Sequence, residues 1–516
     1  MRLMFVMCLM FISGLSLAKS NEKTVEGVFT QYCASCHGTD RLGLMGPALL
    51  PENLKRLRKN KALDVIKNGR VATQMPAFSS MLNDREIKAL ADYIYTPLKE
   101  VPEWNMADIK NTQKVFYKPE ALNDKPTFIA DMMNLFIVVE LGDHSATLLD
   151  GDTFTPIHRF KTHFALHGGP KYSPDGRYVY FASRDGWVSK FDIYNLKTVA
   201  EVRVGINTRN LAVSSDGRYA MAANYLPNNL VVLDTKDLSP IKTIDVKDAS
   251  GKASRVSAVY NAPPRNSFIA ALKDIKEVWE INYQDIPPKG FSSWEHDYHK
   301  ESKDTVKQVS FPIRKIQVSS YLDDFFFNQD YSLLFGASRE GEGLILSLDA
   351  RKEIGSLDVP GMPHLGSGIT WDYDGKEVMA TPNLKDGKVS IIDMDSWQTI
   401  KHIETKGPGF FMRSHEKTPY AWVDVFFGPN KDMMHVIDKS TLKIVKTLKP
   451  VPGKTAAHIE FTKDGRYALM SIWDNDGALI VYDANTLEEV KRLPMKKPSG
   501  KYNVFNKTTY SRGTSH

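Results

Sequence analysis

Three times the chain spells Asp-Gly-Arg-Tyr ahead of a short apolar run, starting at Asp175, Asp216 and Asp464, and Asp374-Gly-Lys-Glu-Val-Met-Ala is a looser copy. Asp-Gly marks a tight turn, because glycine supplies the positive φ at no steric cost. Each apolar run is followed by a second one ending in aspartate, at Asp192, Asp234, Asp393 and Asp483. Degenerate copies fill the intervals at residues 135–149, 268–283, 331–349 and 420–438. Together they make about eight units spaced by roughly 40 to 60 residues, the spacing of propeller blades. One hairpin unit cannot bury its own faces, whereas a closed ring of them can. The pattern predicts an all-β eight-bladed propeller over residues 106–516. A terminal strand at 501–509 is expected to pair with the first blade, and residues 287–304, rich in Lys, Ser, His and Asp, read as an inserted loop.

The preceding stretch has a different period. Residues 25–32 have helical spacing and run straight into Cys33-Ala-Ser-Cys36-His37. C-x-x-C-H is the attachment site of a c-type haem: two thiols add across the vinyl groups, and the adjacent imidazole becomes an axial ligand. A zinc site would need a second ligand pair, and no cysteine follows Cys36. The sixth ligand expected is Met75, in Gln74-Met75-Pro76-Ala77-Phe78, where proline stiffens the loop that carries the thioether. Met45 and Met81 are poorer candidates. Residues 54–68 read as an amphipathic helix ending at Gly69, and 84–95 as a last helix capped by Asn83 or Asp84. The expected architecture is therefore multidomain: an all-α class I cytochrome c domain over residues 19–105, then the propeller. Pro102, Glu103 and Trp104 mark the join.

Residues 1–18 read as a secretory signal, with Arg2, an apolar run and Ser16-Leu17-Ala18 before the cleavage point. The apolar run is too short for a comfortable membrane span, and no other long one follows. Cys8 leaves with the signal, so the mature chain keeps only the two haem cysteines and no disulfide framework. Covalent haem attachment outside the cytoplasm points to a bacterial periplasm. A net charge of +6 over 516 residues, without a Lys/Arg run, argues against a nucleic-acid partner.

Three of the thirteen histidines share a phase in their repeats. His167 precedes Gly168-Gly169-Pro170, His364 lies in Met-Pro-His-Leu-Gly-Ser-Gly, and His458 ends Thr-Ala-Ala-His. Each enters an innermost strand, so their side chains are expected to converge on the ring axis. Arg184, Arg209 and Arg255 occupy inner-strand phases of successive blades, where planar guanidinium groups suit carboxylates. Phe410, Phe411 and Trp473 could stack on a ring, but propeller aromatics are mostly core.

A class I cytochrome c joined to an eight-bladed propeller resembles the cytochrome cd1 nitrite reductase superfamily over nearly the whole mature chain. The ending Gly500-Lys-Tyr-Asn-Val-Phe-Asn-Lys507 and the terminal Gly-Thr-Ser-His516 are similar to the branch that dehydrogenates dihydro-haem d1. The resemblance implies a second, non-covalent haem in the funnel, with His167 at the position of its proximal iron ligand. It implies a distal group of His364, His458 and Tyr502. Nitrite reductases use a pair of distal histidines, and the segment Tyr321-Leu-Asp-Asp-Phe325, where one would fall, has none. The N-terminal arm before Cys33 is also short for that branch. The implied chemistry is oxidation of a propionate side chain of dihydro-haem d1 to the acrylate of haem d1, with His364 as main base. His458 and Tyr502 would relay protons or position a carboxylate, and electrons would pass to the covalent haem c and on to an external periplasmic acceptor. The nitrite reductase that receives haem d1 is a possible partner. Nitrite reduction and non-enzymatic haem d1 carriage are the alternative functions.

Overall fold

The computed structural model describes residues 24–44, 46–54, 57–69, 75–100, 102–166, 168–291, 310–338, 343–359 and 361–509. The expected signal at 1–18, most of the loop at 287–304 and the terminal Gly-Thr-Ser-His lie outside these.

The first domain is helical. Its first helix, Val25–Tyr32, is capped by Thr24, whose hydroxyl accepts from the Gly27 amide at 3.2 Å. A short helix, Ala34–His37, follows without a break. The last helix is Asp84–Ile94, and Asn83 caps it in a reciprocal box with Glu86. That box satisfies two otherwise orphaned amides. The single helix expected at 54–68 is instead two, Pro51–Leu54 and Lys59–Asn68, because Arg58 is extended (φ −63°, ψ 143°) and starts the second. Val28, Phe29, Leu54, Ile66, Phe78, Leu82, Ile87 and Leu90 form the core of this domain.

Eight antiparallel sheets of four strands follow, one of them with a fifth, short strand at its edge. The turns explain the repeat. In three blades the Asp of Asp-Gly accepts from a Ser or Thr hydroxyl two residues before it, at 2.5 Å for Asp175, 2.6 Å for Asp216 and 2.6 Å for Asp464. The same carboxylates accept from the amide two residues on, and the glycines between sit at φ +73°, +72° and +73°. The aspartates that end the third strands do parallel work. Asp192, Asp393 and Asp483 each accept amides two and three residues on, closing an Asx turn.

Strand Pro498–Asn503 is the innermost of the first blade, pairing antiparallel with Leu135–Glu140, so the last strand closes the ring beside the first. It begins and ends earlier than the expected 501–509, because Asn503 caps a helical turn, Val504–Thr508. The residues just after 105 also depart from a pure β reading: Met106–Thr112 is a helix, with Asn105 as its cap, and it packs against the outer strand Lys197–Arg203.

The two domains meet through apolar contacts and a few polar ones. Ala48 and Leu50 of the first domain pack with Ile206 and Leu226 of the propeller, beside Leu42, Leu98 and Trp104. The Trp104 indole N–H donates to the Arg203 carbonyl at 3.0 Å, and Arg255 Nη1 donates to the Asn53 carbonyl at 2.8 Å. The loop beside His37 therefore faces the propeller rather than solvent.

Candidate functional site

The C-x-x-C-H turn has the form that haem attachment requires. The His37 amide donates to the Cys33 carbonyl at 2.9 Å, which holds both half-buried thiols on one helical turn. His37 is buried, and its Nδ1–H donates to the Pro47 carbonyl at 2.8 Å. Since a carbonyl only accepts, Nε2 is left with its lone pair, the tautomer an iron ligand needs. Burial holds its pKa down, which keeps that lone pair available. Gly46 lies against this ring, and a Cβ there would stand 2.7 Å from Nδ1. Met75 packs partly buried against the domain core, whereas Met81 is half exposed. Cys33, Cys36, His37 and Met75 thus fit a covalent haem with His/Met ligation.

In the propeller, residues from successive blades gather at the inner strands. His167 itself lies outside the described residues. Gly169, at φ +69°, leaves room for the Tyr502 ring: a Cβ there would be 2.8 Å from Tyr502 Cε1. From the other side Gly500 makes the same allowance, so the phenol ring is held between two residues without side chains.

Tyr502 and His458 lie side by side, and Phe411 links them to His364. The rings of His458 and Tyr502 are 5.4 Å apart, and Phe411 lies 4.8 Å from His458 and 6.1 Å from His364. Phe410 stacks on His364 at 4.2 Å. The position of His458 depends on a β-bulge between Ala457 and Ile459, with φ +52° at the histidine. Such a bulge re-aims one side chain while the ladder continues on either side. His458 Nδ1 is buried and has no hydrogen-bond partner among the described residues.

The protonation states follow from burial. The His364 imidazole is pulled below its ordinary value by burial, against the charge of Asp324 and a hydrogen bond to Phe410. Its Nδ1–H donates to the Phe410 carbonyl at 2.5 Å, leaving Nε2 as the basic nitrogen. Burial holds His458 lower still, with the charge of Lys501 adding to the effect. Burial pushes the Tyr502 phenol up to about 12, so near neutrality it is a proton donor.

The three arginines also converge, on a residue that sequence reasoning passed over. Tyr225 is ringed by Arg184 (6.0 Å to the ring centroid), Arg255 (5.6 Å) and Lys273 (5.8 Å). Burial alone would raise this phenol, but the charges of Lys273, Arg209, Arg184 and Arg255 outweigh it and bring it down to about 7. Arg255 is already held by Asp274, at 2.7 and 2.8 Å, besides its bond to Asn53 of the first domain. Lys273 donates to Asp323 at 2.6 Å, and Arg209 to the Ser257 carbonyl at 3.1 Å. Planar donors around an anion suit carboxylate side chains of a tetrapyrrole.

Two further residues were missed. Asp324 stands where a histidine was sought, with Oδ2 3.7 Å from His364 Nε2, and it accepts from the Gly366 amide at 2.7 Å. Asp424, wholly buried, accepts from the amides of Phe410 (2.7 Å), Phe411 (3.0 Å) and His458 (3.3 Å). Phe410 and Phe411, set aside as core, belong to this group. Trp473 packs 5.2 Å from Phe426.

A small helical domain carrying a C-x-x-C-H turn, docked on a ring of eight four-stranded blades, defines a protein of the cytochrome c–propeller class. The chain belongs to the family described as the cytochrome D1 heme domain, whose model matches residues 130–507. Residues 20–94 match the model for subunit III of cbb3-type cytochrome c oxidase. The chain is 53% identical, over 97% of its length and 97% of the relative's, to a dihydro-heme d1 dehydrogenase of Pseudomonas aeruginosa. It is similar to a solved structure of the dihydro-heme d1 dehydrogenase NirN in complex with DHE, at 54% identity and a TM-score of 0.79, covering 94% of this chain and 99% of that one. To a nitrite reductase of Stutzerimonas stutzeri it is 25% identical over 96% of this chain and 97% of the other.

Proposed function

We propose that this protein is a dihydro-haem d1 dehydrogenase, oxidising one propionate of its tetrapyrrole substrate to an acrylate. The observation that carries the reading is the adjacency of His458 and Tyr502, linked to His364 through Phe411, together with a cationic group around Tyr225, in a chain 53% identical along 97% of its length to a dehydrogenase of that name. Asp324 facing His364 supports dehydrogenation over nitrite reduction, since a carboxylate is a poor substitute for a second protonating imidazole.

Converting –CH2–CH2– to –CH=CH– removes two hydrogens, as two protons and two electrons. His364 Nε2 takes a proton from a saturated carbon, its lone pair kept available by burial and by the Nδ1–H bond to Phe410. Tyr502, protonated at neutral pH, orients the reacting carboxyl by donating to it, and His458 lies beside it to exchange the second proton. Arg184, Arg209 and Arg255, with Lys273, hold the other carboxylates. His167 binds the substrate iron on the proximal side. Cys33, Cys36, His37 and Met75 would hold a covalent haem, which would accept the two electrons one at a time and pass each on to the external acceptor.

The compartment is the periplasm, the electrons leave to an external acceptor there, and the product goes to the nitrite reductase that uses haem d1. Among the described residues no helix is long and apolar enough to cross a membrane. Adding dihydro-haem d1 anaerobically to the holoprotein, with an electron acceptor, tests the reading by visible spectroscopy. A shift to the more conjugated acrylate chromophore is expected. A bound but unchanged spectrum would mark a carrier, and turnover of added nitrite would mark a reductase.

A further inference from the structure

Asp424 ends the second strand of the seventh blade, Tyr420–Asp424, and among the described residues none of its hydrogen-bond partners is a cation, although the charges of Lys501 and Arg413 act on it. It is wholly buried, where an ionisable carboxylate is retained only if its oxygens are satisfied. They are satisfied by three amides, and all three belong to the distal group. Oδ1 accepts from Phe410 and Phe411, the residues leading into the innermost strand of its own blade. Oδ2 accepts from His458, on the bulge of the next blade. The Asp424 amide donates back to the Phe411 carbonyl at 3.2 Å, closing the loop on itself.

The same peptide that Asp424 holds by its N–H reaches the sixth blade by its carbonyl. Phe410 O accepts from His364 Nδ1 at 2.5 Å, and the Phe410 ring stacks on the imidazole at 4.2 Å. One carboxylate therefore bears on segments of three blades: it grips the Phe410 main chain, which fixes the tautomer and tilt of His364, and it pins the bulge that presents His458. Removing it leaves the Phe410 and Phe411 amides without an acceptor in a dry interior, and a loop so deprived shifts until it finds one.

We infer that Asp424 is the positioning residue of the distal group, acting on His364 through the Phe410 peptide. This rests on the reading of His364 as the base. No contact between Asp424 and the substrate is needed. An asparagine would keep the oxygen that accepts from Phe410 and Phe411 and lose only the bond to His458.

The test is a double-mutant cycle on the full holoprotein, measuring conversion of dihydro-haem d1 by Asp424→Ala, Asp424→Asn, His364→Ala and His364→Ala/Asp424→Ala. Asp424→Ala is expected to lower kcat about 100-fold with KM changed less than about threefold, the effect of a displaced catalytic group. In the His364→Ala background the same change should cost less than about twofold, because both act through one group. Asp424→Asn should stay within about fivefold of the parent. The inference is overturned if the Asp424→Ala loss multiplies in full onto that of His364→Ala, or if Asp424→Asn loses more than that fivefold. Should Asp424→Ala fail to fold, as read from its haem c spectrum and melting, the asparagine variant decides by the same limit. A His364→Ala protein that converts at full rate removes the base assignment and the relay together. A slow His364→Ala beside a fast Asp424→Ala removes the relay alone.

Discussion

Gly169→Ala is the sharpest probe of whether Tyr502 takes part in the reaction. The new Cβ would stand 2.8 Å from Tyr502 Cε1, 3.1 Å from Cζ and 3.2 Å from the hydroxyl oxygen, where ordinary contact begins near 3.4 Å. The ring must retreat by about 0.6 Å, and Gly500 lies against its Cε2 edge. Alanine at φ +69° adds backbone strain of about 1–2 kcal/mol. Stability should fall by about 1–3 kcal/mol in all, read by thermal unfolding. The catalytic loss should be larger, about 10- to 100-fold in kcat, since a hydroxyl misplaced by a fraction of an ångström no longer meets the reacting group. The assay is conversion of dihydro-haem d1 followed in the visible, with the haem c bands and the bound-substrate spectrum as controls. Gly169 is two residues from His167, so Gly500→Ala is the partner variant: it presses the same ring from a different strand, remote in sequence from that histidine. Both variants should slow conversion while leaving the iron spectrum of bound substrate unchanged. If either folds and converts at the parental rate, Tyr502 is not held for catalysis by this cradle.

Tyr225 should titrate near neutrality: because the surrounding cations pull its phenol down to about 7, the near-ultraviolet phenolate band of the parent should grow as pH rises through that value and be missing from Tyr225→Phe. Asp424 carries the opposite sign. Burial raises its carboxyl to about 7, so its stabilising share is full below the ordinary carboxylate range and is lost as pH rises through about 7. Asp424→Asn should therefore gain stability relative to the parent between pH 5 and pH 8, by up to about 3 kcal/mol in denaturant melts; an unchanged difference would mean the carboxyl titrates normally. Met75→His should lower the haem c potential in a redox titration, as exchange of a thioether for an imidazole does, and an unmoved potential would mean another residue ligates the iron.

The blades were legible because their turns are chemical. Asp-Gly, with a Ser or Thr two residues before it, and the closing Asx aspartate are local devices that fold the same way in any context. The Cys33–His37 motif was legible for the same reason: its three residues lie on one helical turn. His364, His458 and Tyr502 stood out as candidates because they share a phase in the repeat or stand in a recognisable ending, although the bulge that turns His458 leaves no trace in periodicity. Asp424, Asp324 and Tyr225 could not be found this way. An aspartate in Val-Asp-Val or a tyrosine in an apolar strand has no pattern of its own, and its role comes from what neighbouring blades bring to it. The helix break before Lys59 was hidden because its apolar spacing carries on across it while Arg58 leaves the helical region.

The central claim is that the propeller removes two hydrogens from a tetrapyrrole. The most direct measurement is the mass of the macrocycle extracted after one anaerobic turnover of dihydro-haem d1 with oxidised holoprotein and excess acceptor. A product lighter by two hydrogens, formed by the parent and not by His364→Ala, is the result expected. Recovery of the macrocycle at its starting mass, from protein that has bound it and retains its haem c, would contradict the account.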